Sequence, residues 1–263
     1  MKRVFFVTKP TDKARAIEAE LKEKLSSAEL SLEIPLVVAI GGDGTMLQAI
    51  KDHLHSEVMF VGISAGWLGY LQTVNPDEIN RLVDSLVSKS FEVVEAPLLA
   101  ARNADTQEIL TYAFNDISLE RAGARAAKFA LQVGNSEGKF VGDGVLFVTP
   151  LGSTAYGMAA GGPIIDASAQ DVFAVVPNNP HVSVLYSSLQ RPHILSSKRS
   201  VKISFDDTDI DERPLKLISD GIEVDIDFSF AIEIMMSDRT IKLLELTQDG
   251  WYNHIDAKRL GRN

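Results

Sequence analysis

A run of small residues surrounds a single carboxylate near the start of the chain: Gly41-Gly42-Asp43-Gly44-Thr45. It follows the apolar run 36–40, which predicts a strand buried on both faces, and leads into 45–53, which predicts a helix. Glycines let the backbone turn sharply and approach a ligand, and amides at a helix start bind anions. Asp43 could accept a proton from a hydroxyl that attacks a phosphoryl group, or hold a metal. The alternative is a tight turn with Asp43 as a cap.

A second polar, glycine-rich stretch lies in the middle of the chain, at 142–156, and continues to residue 165. It predicts a strand, a Pro-Gly turn, and a helix opened by Ser153 or Thr154. The start of that helix would present free amides and hydroxyls, and Tyr156 could stack on a base or hydrogen-bond a phosphate or ribose. The stretch therefore predicts a nucleotide site. A generic turn between strands would explain its Pro-Leu-Gly-Ser segment alone.

Alternating strand-like and helix-like periodicities occupy the first hundred residues. Such alternation predicts a parallel sheet with helices on its faces. Asn75, Pro76 and Glu78 are typical of a helix start, with Asn75 as the N-cap. The predicted strands are 4–8, 36–40 and 58–63, and the predicted helices are 12–27, 45–53 and 75–87.

After Pro97 the pattern changes to short strand-like segments separated by Gly, Asn, Asp and Pro, with one predicted helix after Gly152. The segments are 98–103, 109–119, 127–133, 139–149, 172–176, 200–206, 214–218, 222–227, 230–236 and 240–246. The predicted fold is an N-terminal Rossmann-like parallel sheet with flanking helices, followed by an antiparallel β-sandwich-like domain. We place the first domain at 1–98, the β-rich domain at 99–245, and a segment returning to the first domain at 246–263.

Composition excludes several classes of protein. The chain has 263 residues, is 45% hydrophobic and 24% charged, and is therefore of ordinary globular composition. A formal net charge of −10 disfavours nucleic-acid binding. The absence of cysteine excludes disulfides, thiolate zinc sites and cysteine nucleophiles, and fits a reducing compartment. No segment reaches the ~18 consecutive apolar residues of a membrane helix, and the short run after Lys2-Arg3 predicts a strand and not a signal peptide. We expect a cytoplasmic protein without a membrane partner.

The two motifs carry a family resemblance. The first is similar to a motif shared by NAD kinases, diacylglycerol and sphingosine kinases and, with Ser in place of Thr, phosphofructokinases. The second resembles the nucleotide-binding signature of NAD kinases, and the chain is identified as a member of that family. Asn115-Asp116 resembles the family's Asn-Glu pair, 62–71 its Gly-Ile-Asn-x-Gly-x-Leu-Gly-Phe-Leu segment, and 251–261 its closing segment.

The resemblance implies phosphorylation of the 2′-hydroxyl of the adenosine ribose of NAD, which gives NADP, with ATP or another polyphosphate as donor. It implies Asp43 as the general base, a divalent cation such as Mg²⁺ to neutralise developing charge, and a homodimer or homotetramer. No residue is predicted as a metal ligand. The implied phosphate- and nucleotide-binding residues are Gly41, Gly42, Gly44, Thr45, Tyr70, Asn115, Asp116, Asp143, Thr154, Ala155, Tyr156, Met158, Ala159, Asn178 and Asp220.

The chain departs from the family pattern at Val141, Leu151 and Ile222, where Arg, Thr or Ser, and Gln are usual. These departures bear on substrate preference and on the strength of product binding. The alternatives are a lipid kinase of the diacylglycerol or sphingosine type, which would lack the string 149–156, and a non-catalytic NAD(P)-binding sensor on the same fold, against which the retention of Asp43 argues.

Overall fold

The computed structural model describes residues 3–30, 32–66, 69–181, 189–206 and 212–246. The chain divides into two compact units: the first contains the described residues of Met1–Ala96 and Ile241–Asn263, and the second those of Pro97–Thr240. The predicted limits of the domains stay predictions. The expected return of the closing segment concerns residues of which 247–263 lie outside the described part of the chain.

The first unit is a parallel sheet with flanking helices. Strand β2 pairs in parallel with β1 and β3, and the end of β15 pairs in parallel with β3 at Lys242 and Leu243. Every residue of β2 and β3 is buried, as their apolar runs predict. Its elements are β1 (Val4–Thr8), α1 (Asp12–Ser26), β2 (Leu36–Gly41), α2 (Asp43–His53), β3 (Met59–Ser64), α3 (Ile79–Ser88) and the end of β15 (Ile232–Glu245).

The predicted helix start at Asn75 is confirmed. The N–H and the side-chain amide of Asn75 both donate to Oε2 of Glu78, at 3.0 and 3.1 Å, around a short 3₁₀ turn, Pro76–Glu78, and α3 follows directly. The predicted beginning of α2 at residue 45 is late, because the helix already includes Asp43 and Gly44, with Gly42 as its N-cap. This difference places the backbone amides of the glycine loop in the first turn of a helix.

The second unit consists of antiparallel strands. One sheet has the order β11-β10-β9-β6-β13-β14, and in another β12 pairs with β7 and β15, and β7 with β8. Its core includes Phe129 and Phe140, whose rings stack 5.0 Å apart. The elements are β4 (Glu92–Asn103) from Pro97 onward, β5 (Ile109–Ala113), β6 (Asp116–Arg121), β7 (Ala127–Val133), β8 (Ser136–Gly142), β9 (Gly144–Val148), α4 (Tyr156–Ala159), β10 (Val172–Asn178), β11 (His193–Ser196), β12 (Ser200–Ser204), β13 (Leu215–Ser219), β14 (Ile222–Val224) and β15 as far as Thr240.

The two architectures confirm the predicted fold class, with differences inside it. The predicted segments 230–236 and 240–246 are one strand, β15, whereas 109–119 and 139–149 are each divided into two strands. The divisions fall at Asn115 and Asp143, two of the predicted nucleotide-binding residues. Strand pairing is therefore interrupted where polar side chains were expected to do chemistry. Among the described residues, no helix is long and apolar enough to cross a membrane.

The predicted helix after Gly152 is wrong in its form. A 3₁₀ turn, Leu151–Thr154, is followed by the four-residue helix α4. Neither Ser153 nor Thr154 caps it, because their hydroxyls donate to the carbonyls of Pro150 and Leu151, at 2.6 and 3.2 Å. A single helical turn has no developed macrodipole, so the start of α4 is not the anion site that the predicted helix would provide.

Candidate functional site

The Asp43 carboxylate is held by the backbone that follows β3. The N–H of Tyr70 donates to Oδ2 of Asp43 at 2.9 Å, and the N–H of Leu71 donates to Oδ1 at 2.8 Å. A carboxylate oxygen has two acceptor positions, so each oxygen keeps one for a further donor. The orientation of the predicted catalytic side chain is thus fixed before any ligand binds.

The glycine loop is also fixed by Gln72. This buried side chain donates from Nε2 to the carbonyl oxygen of Gly42 at 2.9 Å. By contrast, a Cβ atom built on Gly42 or Gly44 would have open space around it. The amides of Asp43 and Gly44, in the first turn of α2, have no hydrogen-bond partner among the described residues. The loop is therefore held from one side and presents unpaired N–H groups on a side with room for an anion.

A cavity of about 380 Å³ lies beside this loop within the first unit. Lys9, the residue that directly follows β1, lines this cavity, and the N–H of Lys9 donates to the carbonyl oxygen of Ile40 at 2.9 Å. The Lys9 ammonium forms no ion pair with a carboxylate of the part of the chain that the structure describes. The residues that line the cavity are Val7, Thr8, Lys9, Pro10, Gly42, Gly44, Thr45 and Gln48.

Sequence reasoning missed both Lys9 and Gln72. For Lys9 a signal existed, because a basic residue directly after the first strand of a parallel sheet lies at the same edge as the loop after the second strand. For Gln72 there was none, since 30 positions separate it from Gly42 and the contact depends on how the segment after β3 returns to the loop.

No cluster of three or more His, Cys, Asp or Glu side chains occurs among the described residues. Asp43, with one acceptor position left on each oxygen, can give a divalent ion only part of its coordination. Mg²⁺ in nucleotide sites usually takes one or two carboxylates and completes its coordination with phosphates and waters. The residues present therefore fit an ion that is held mainly by the phosphates of a bound nucleotide.

In the second unit, a cavity of about 420 Å³ brings together five of the predicted binding residues. They come from the break between β5 and β6, from the turn after β9, and from the β13–β14 hairpin. The lining residues are Asn115, Asp116, Ser118, Glu120, Ala155, Tyr156, Ile218, Asp220 and Gly221, of which Asn115, Asp116, Ala155, Tyr156 and Asp220 were predicted.

Asp220 performs a further task besides lining the cavity. With Gly221 it forms the two-residue turn of the hairpin, and both have positive φ, 47° and 78°. Its carboxylate accepts hydrogen bonds from the N–H groups of Phe114, Asn115 and Asp116, at 2.7, 2.7 and 3.2 Å. The side chain therefore holds the Asn115-Asp116 loop in place.

The turn after β9 fixes the same loop from another direction. The Thr149 hydroxyl donates to the carbonyl of Phe114 at 2.7 Å and accepts from the N–H of Gly152 at 2.9 Å. Gly152 is required at its position, because a Cβ there would lie 2.0 Å from the carbonyl oxygen of Asn115. The predicted dipeptide Asn115-Asp116 is thus held by contacts on either side.

Two of the predicted binding residues, Asp116 and Asp143, have pKa values that are shifted in opposite directions. Asp116 is buried, and its burial, followed by the charges of Asp220 and Glu120, raises its pKa to about 7. In contrast, the hydrogen bond from Asn179, followed by Arg121, holds the pKa of Asp143 below its ordinary value. Near neutral pH, Asp116 therefore exchanges between its acid and its carboxylate, whereas Asp143 stays an acceptor.

Tyr156 and Asp143 are linked through the end of β10. The amide of Asn178 donates to the Tyr156 hydroxyl at 3.3 Å, and that of Asn179 donates to Oδ2 of Asp143 at 2.8 Å. Asn179 has a φ of 45°, a backbone conformation that asparagine adopts more readily than most residues. The remaining predicted residues differ in exposure: Met158 and Ala159 are exposed, whereas Thr154 is buried with its hydroxyl on a backbone carbonyl.

The geometry agrees with comparisons to known proteins. Residues 7–91 match the ATP-NAD kinase N-terminal domain, and residues 115–246 match the ATP-NAD kinase C-terminal domain. The chain belongs to the NAD kinase family. The NAD kinase of Sulfurimonas denitrificans is 32% identical over 229 residues, which cover 86% of this chain and 76% of that protein.

Solved NAD kinase structures share the fold. The yeast NADH kinase complexed with NADH superposes with a TM-score of 0.79 at 22% identity, covering 99% of this chain and 87% of the other. The NAD kinase from Archaeoglobus fulgidus in complex with ATP has a TM-score of 0.72 at 22% identity, covering 97% and 96%. At this identity the likeness shows the two-part fold of the family, in agreement with the elements described above.

Proposed function

We propose that this NAD kinase transfers the terminal phosphoryl group of ATP to the 2′-hydroxyl of the adenosine ribose of NAD, which gives NADP and ADP. The observation that carries the proposal is the Asp43 carboxylate, which is held by the amides of Tyr70 and Leu71 on a loop whose own first helical amides are unpaired. A positioned acceptor for a proton and a set of donors for phosphate oxygens are what phosphoryl transfer needs.

In the proposed reaction the 2′-oxygen of NAD forms the new bond to phosphorus, and the bond between that phosphorus and the β–γ bridging oxygen of ATP breaks. Asp43 accepts the hydroxyl proton at a carboxylate oxygen, and ADP leaves with the bridging oxygen. The backbone N–H groups of Asp43 and Gly44 hold phosphate oxygens, and Lys9 adds a positive charge at the same cavity. Asp43 would give a divalent ion such as Mg²⁺ part of its coordination beside the donor phosphates, and such an ion would supply charge neutralisation on the transferred group.

In the second unit, the cavity lined by Asn115, Asp116, Tyr156 and Asp220 is the proposed site of NAD. A face of Tyr156, which is 40% exposed, is available for stacking on a ring of the dinucleotide. The carboxylates of the cavity wall can accept hydrogen bonds from hydroxyl and amide groups of NAD, and the side-chain amide of Asn115 can donate as well as accept. The departure at Leu151 fits its place, because this side chain is buried.

The alternatives have less support. Both parts of the chain match NAD kinase domains, and nothing in the comparisons favours a lipid kinase. The retained and positioned Asp43 argues against a sensor without catalysis. Use of polyphosphates other than ATP, a homodimeric or homotetrameric state, and a cytoplasmic location stay predictions, which donor competition, light scattering and fractionation would test.

The test is a coupled assay for NADP formed from NAD and ATP, with Asp43→Asn beside the unaltered protein. We expect Asp43→Asn to lower kcat by on the order of 10²–10⁴, the usual contribution of a general base. Asp52→Asn is the matched control, because it makes the same change on an exposed residue at the other end of α2. No NADP from the unaltered protein would refute the activity, and equal kcat values for the three proteins would refute the role of Asp43.

A further inference from the structure

We infer that Arg121, which neither the motifs nor the family resemblance single out, is a positioning residue for NAD: it fixes the Asp143 carboxylate in the orientation that accepts hydrogen bonds from the dinucleotide. The inference rests on the proposed function and extends the NAD site to Asp143, a predicted nucleotide-binding residue whose neighbour Gly144 pairs with Glu120 of the cavity wall. Three contacts support the inference. Arg121 and Asp143 form an ion pair and a backbone hydrogen bond, and Asn179 donates to the other carboxylate oxygen of Asp143.

Strand pairing brings the two residues together. Arg121 is the last residue of β6, and Asp143 occupies the break between β8 and β9. Because Glu120 pairs with Gly144 across β6 and β9, the neighbouring residues face each other, and the N–H of Arg121 donates to the carbonyl of Asp143 at 3.0 Å. The backbone contact sets the separation at which the side chains meet.

The Arg121 guanidinium is itself held in place. Its Nε donates to Oδ1 of Asp143 at 2.6 Å, and Nη1 donates to the carbonyl of Gly123 at 2.7 Å. The planar guanidinium therefore has little freedom to rotate away from the carboxylate. Asn179 donates to the other oxygen of Asp143 at 2.8 Å, so both oxygens are oriented from opposite sides.

The pair is accessible to a ligand. The side chains of Arg121 and Asp143 are 39% and 33% exposed, and ion pairs at this exposure contribute little to folding stability. A carboxylate has about four acceptor positions, so Asp143 can still accept hydrogen bonds from hydroxyl or amide groups of NAD.

The experiment uses Arg121→Met with Arg125→Met as its control. Arg125 also pairs with a carboxylate, that of Glu212, but both side chains are more than half exposed and Glu212 is not a predicted nucleotide-binding residue. We expect Arg121→Met to raise the KM for NAD, and the dissociation constant of NAD measured by calorimetry without ATP, about tenfold, with the KM for ATP within about twofold. Arg125→Met should change none of these, and Arg121→Lys should recover part of the affinity, because it keeps the charge and loses the planar fork.

A double-mutant cycle separates positioning from direct contact. If Arg121 acts through Asp143, Arg121→Met should weaken NAD binding much less in an Asp143→Asn background than in the unaltered protein. Additive effects, or an effect of Arg121→Met without any effect of Asp143→Asn, would overturn the inference. Calorimetry keeps the test independent of catalysis: a protein that binds NAD but forms no NADP refutes the proposed function and still reports on Arg121. If Arg121→Met does not fold, as judged by circular dichroism, the cycle is run with Arg121→Lys.

Discussion

Gly69 stands against the carboxylate of Asp43: a Cβ built on Gly69 would lie 2.1 Å from Oδ1 of Asp43. A carbon atom cannot approach an oxygen so closely, so any larger residue would displace either the carboxylate or the amides of Tyr70 and Leu71 that hold it. The orientation of the proposed base therefore depends on a residue without a side chain that lies 26 positions away in the sequence.

We expect Gly69→Ala to lower kcat at least about tenfold, because displacement of about 1 Å at a catalytic group is enough for a loss of that size. The KM for NAD should change less, since the NAD cavity is built from other residues. Gly66→Ala is the matched control, because a Cβ there meets nothing within 4 Å. Thermal unfolding of both variants is measured in parallel, and a Gly69→Ala protein with unchanged kcat would contradict the steric argument.

Lys9 is expected to act on the phosphoryl donor. Replacing it by Met removes the ammonium from the cavity beside the glycine loop, so the KM for ATP should rise about tenfold while the KM for NAD stays within about twofold. Lys51→Met makes the same change of charge at the other end of α2 and should leave both constants unaltered. If the two variants raise the KM for ATP equally, the effect is one of net charge and the placement of Lys9 is irrelevant.

Removal of divalent cations should abolish transfer. Among the residues that line the cavity beside the glycine loop, Lys9 is the one cation, and the whole chain carries a formal charge of −10. Backbone amides and one ammonium cannot neutralise a triphosphate, so excess chelator should lower kcat at least about a hundredfold, with recovery on adding Mg²⁺. NAD binding measured without ATP should not respond to the chelator. Full activity in chelator would refute this dependence.

The sequence predicts the parts of the site that are local in the chain. The glycine loop, the string 142–165 and the Asp220-Gly221 turn each combine residues within one connection, and spacing and turn chemistry are enough to find them. Arg121 could not be found in this way, since it meets Asp143 across 22 positions through the pairing of β6 with β9. The form of the turn after β9 could not be predicted either. The Thr149 hydroxyl accepts a hydrogen bond from the N–H of Gly152 at the start of this turn, whereas the sequence favours Ser153 or Thr154 for that role.

The structural role of Asp220 is likewise only partly predicted by the sequence. Its resemblance to a family residue predicts nucleotide binding, and its turn chemistry predicts a hairpin. The structure adds its hydrogen bonds from the amides of 114–116, which lie more than 100 positions earlier. A contact of this kind depends on sheet order, which pattern and propensity do not specify.

Asp116 makes the stability of the protein depend on pH in an unusual direction. Its pKa rises from 3.8 to about 7 on folding, so between these values the folded chain binds a proton that the unfolded chain has lost. As far as it depends on Asp116, the free energy of unfolding is therefore highest below about pH 4, falls as the pH rises towards 7, and stays low above pH 7. Asp116→Asn, which cannot ionise, should be more stable than the unaltered protein at pH 8, by a few kcal/mol at most, with no such gain at pH 4.

The control for this prediction is Asp143→Asn, because the sign should reverse. The pKa of Asp143 is lowered on folding, so its contribution is present above about pH 4 and is lost as the pH falls further. Asp143→Asn should therefore be slightly less stable than the unaltered protein at pH 8, because a partly exposed ion pair contributes little, and the difference should shrink in acid. Urea unfolding from about pH 2 to pH 8 measures both variants across the range in which the two carboxylates titrate. If the stability differences of the two variants change with pH in the same direction, the pKa of Asp116 is not raised by its burial.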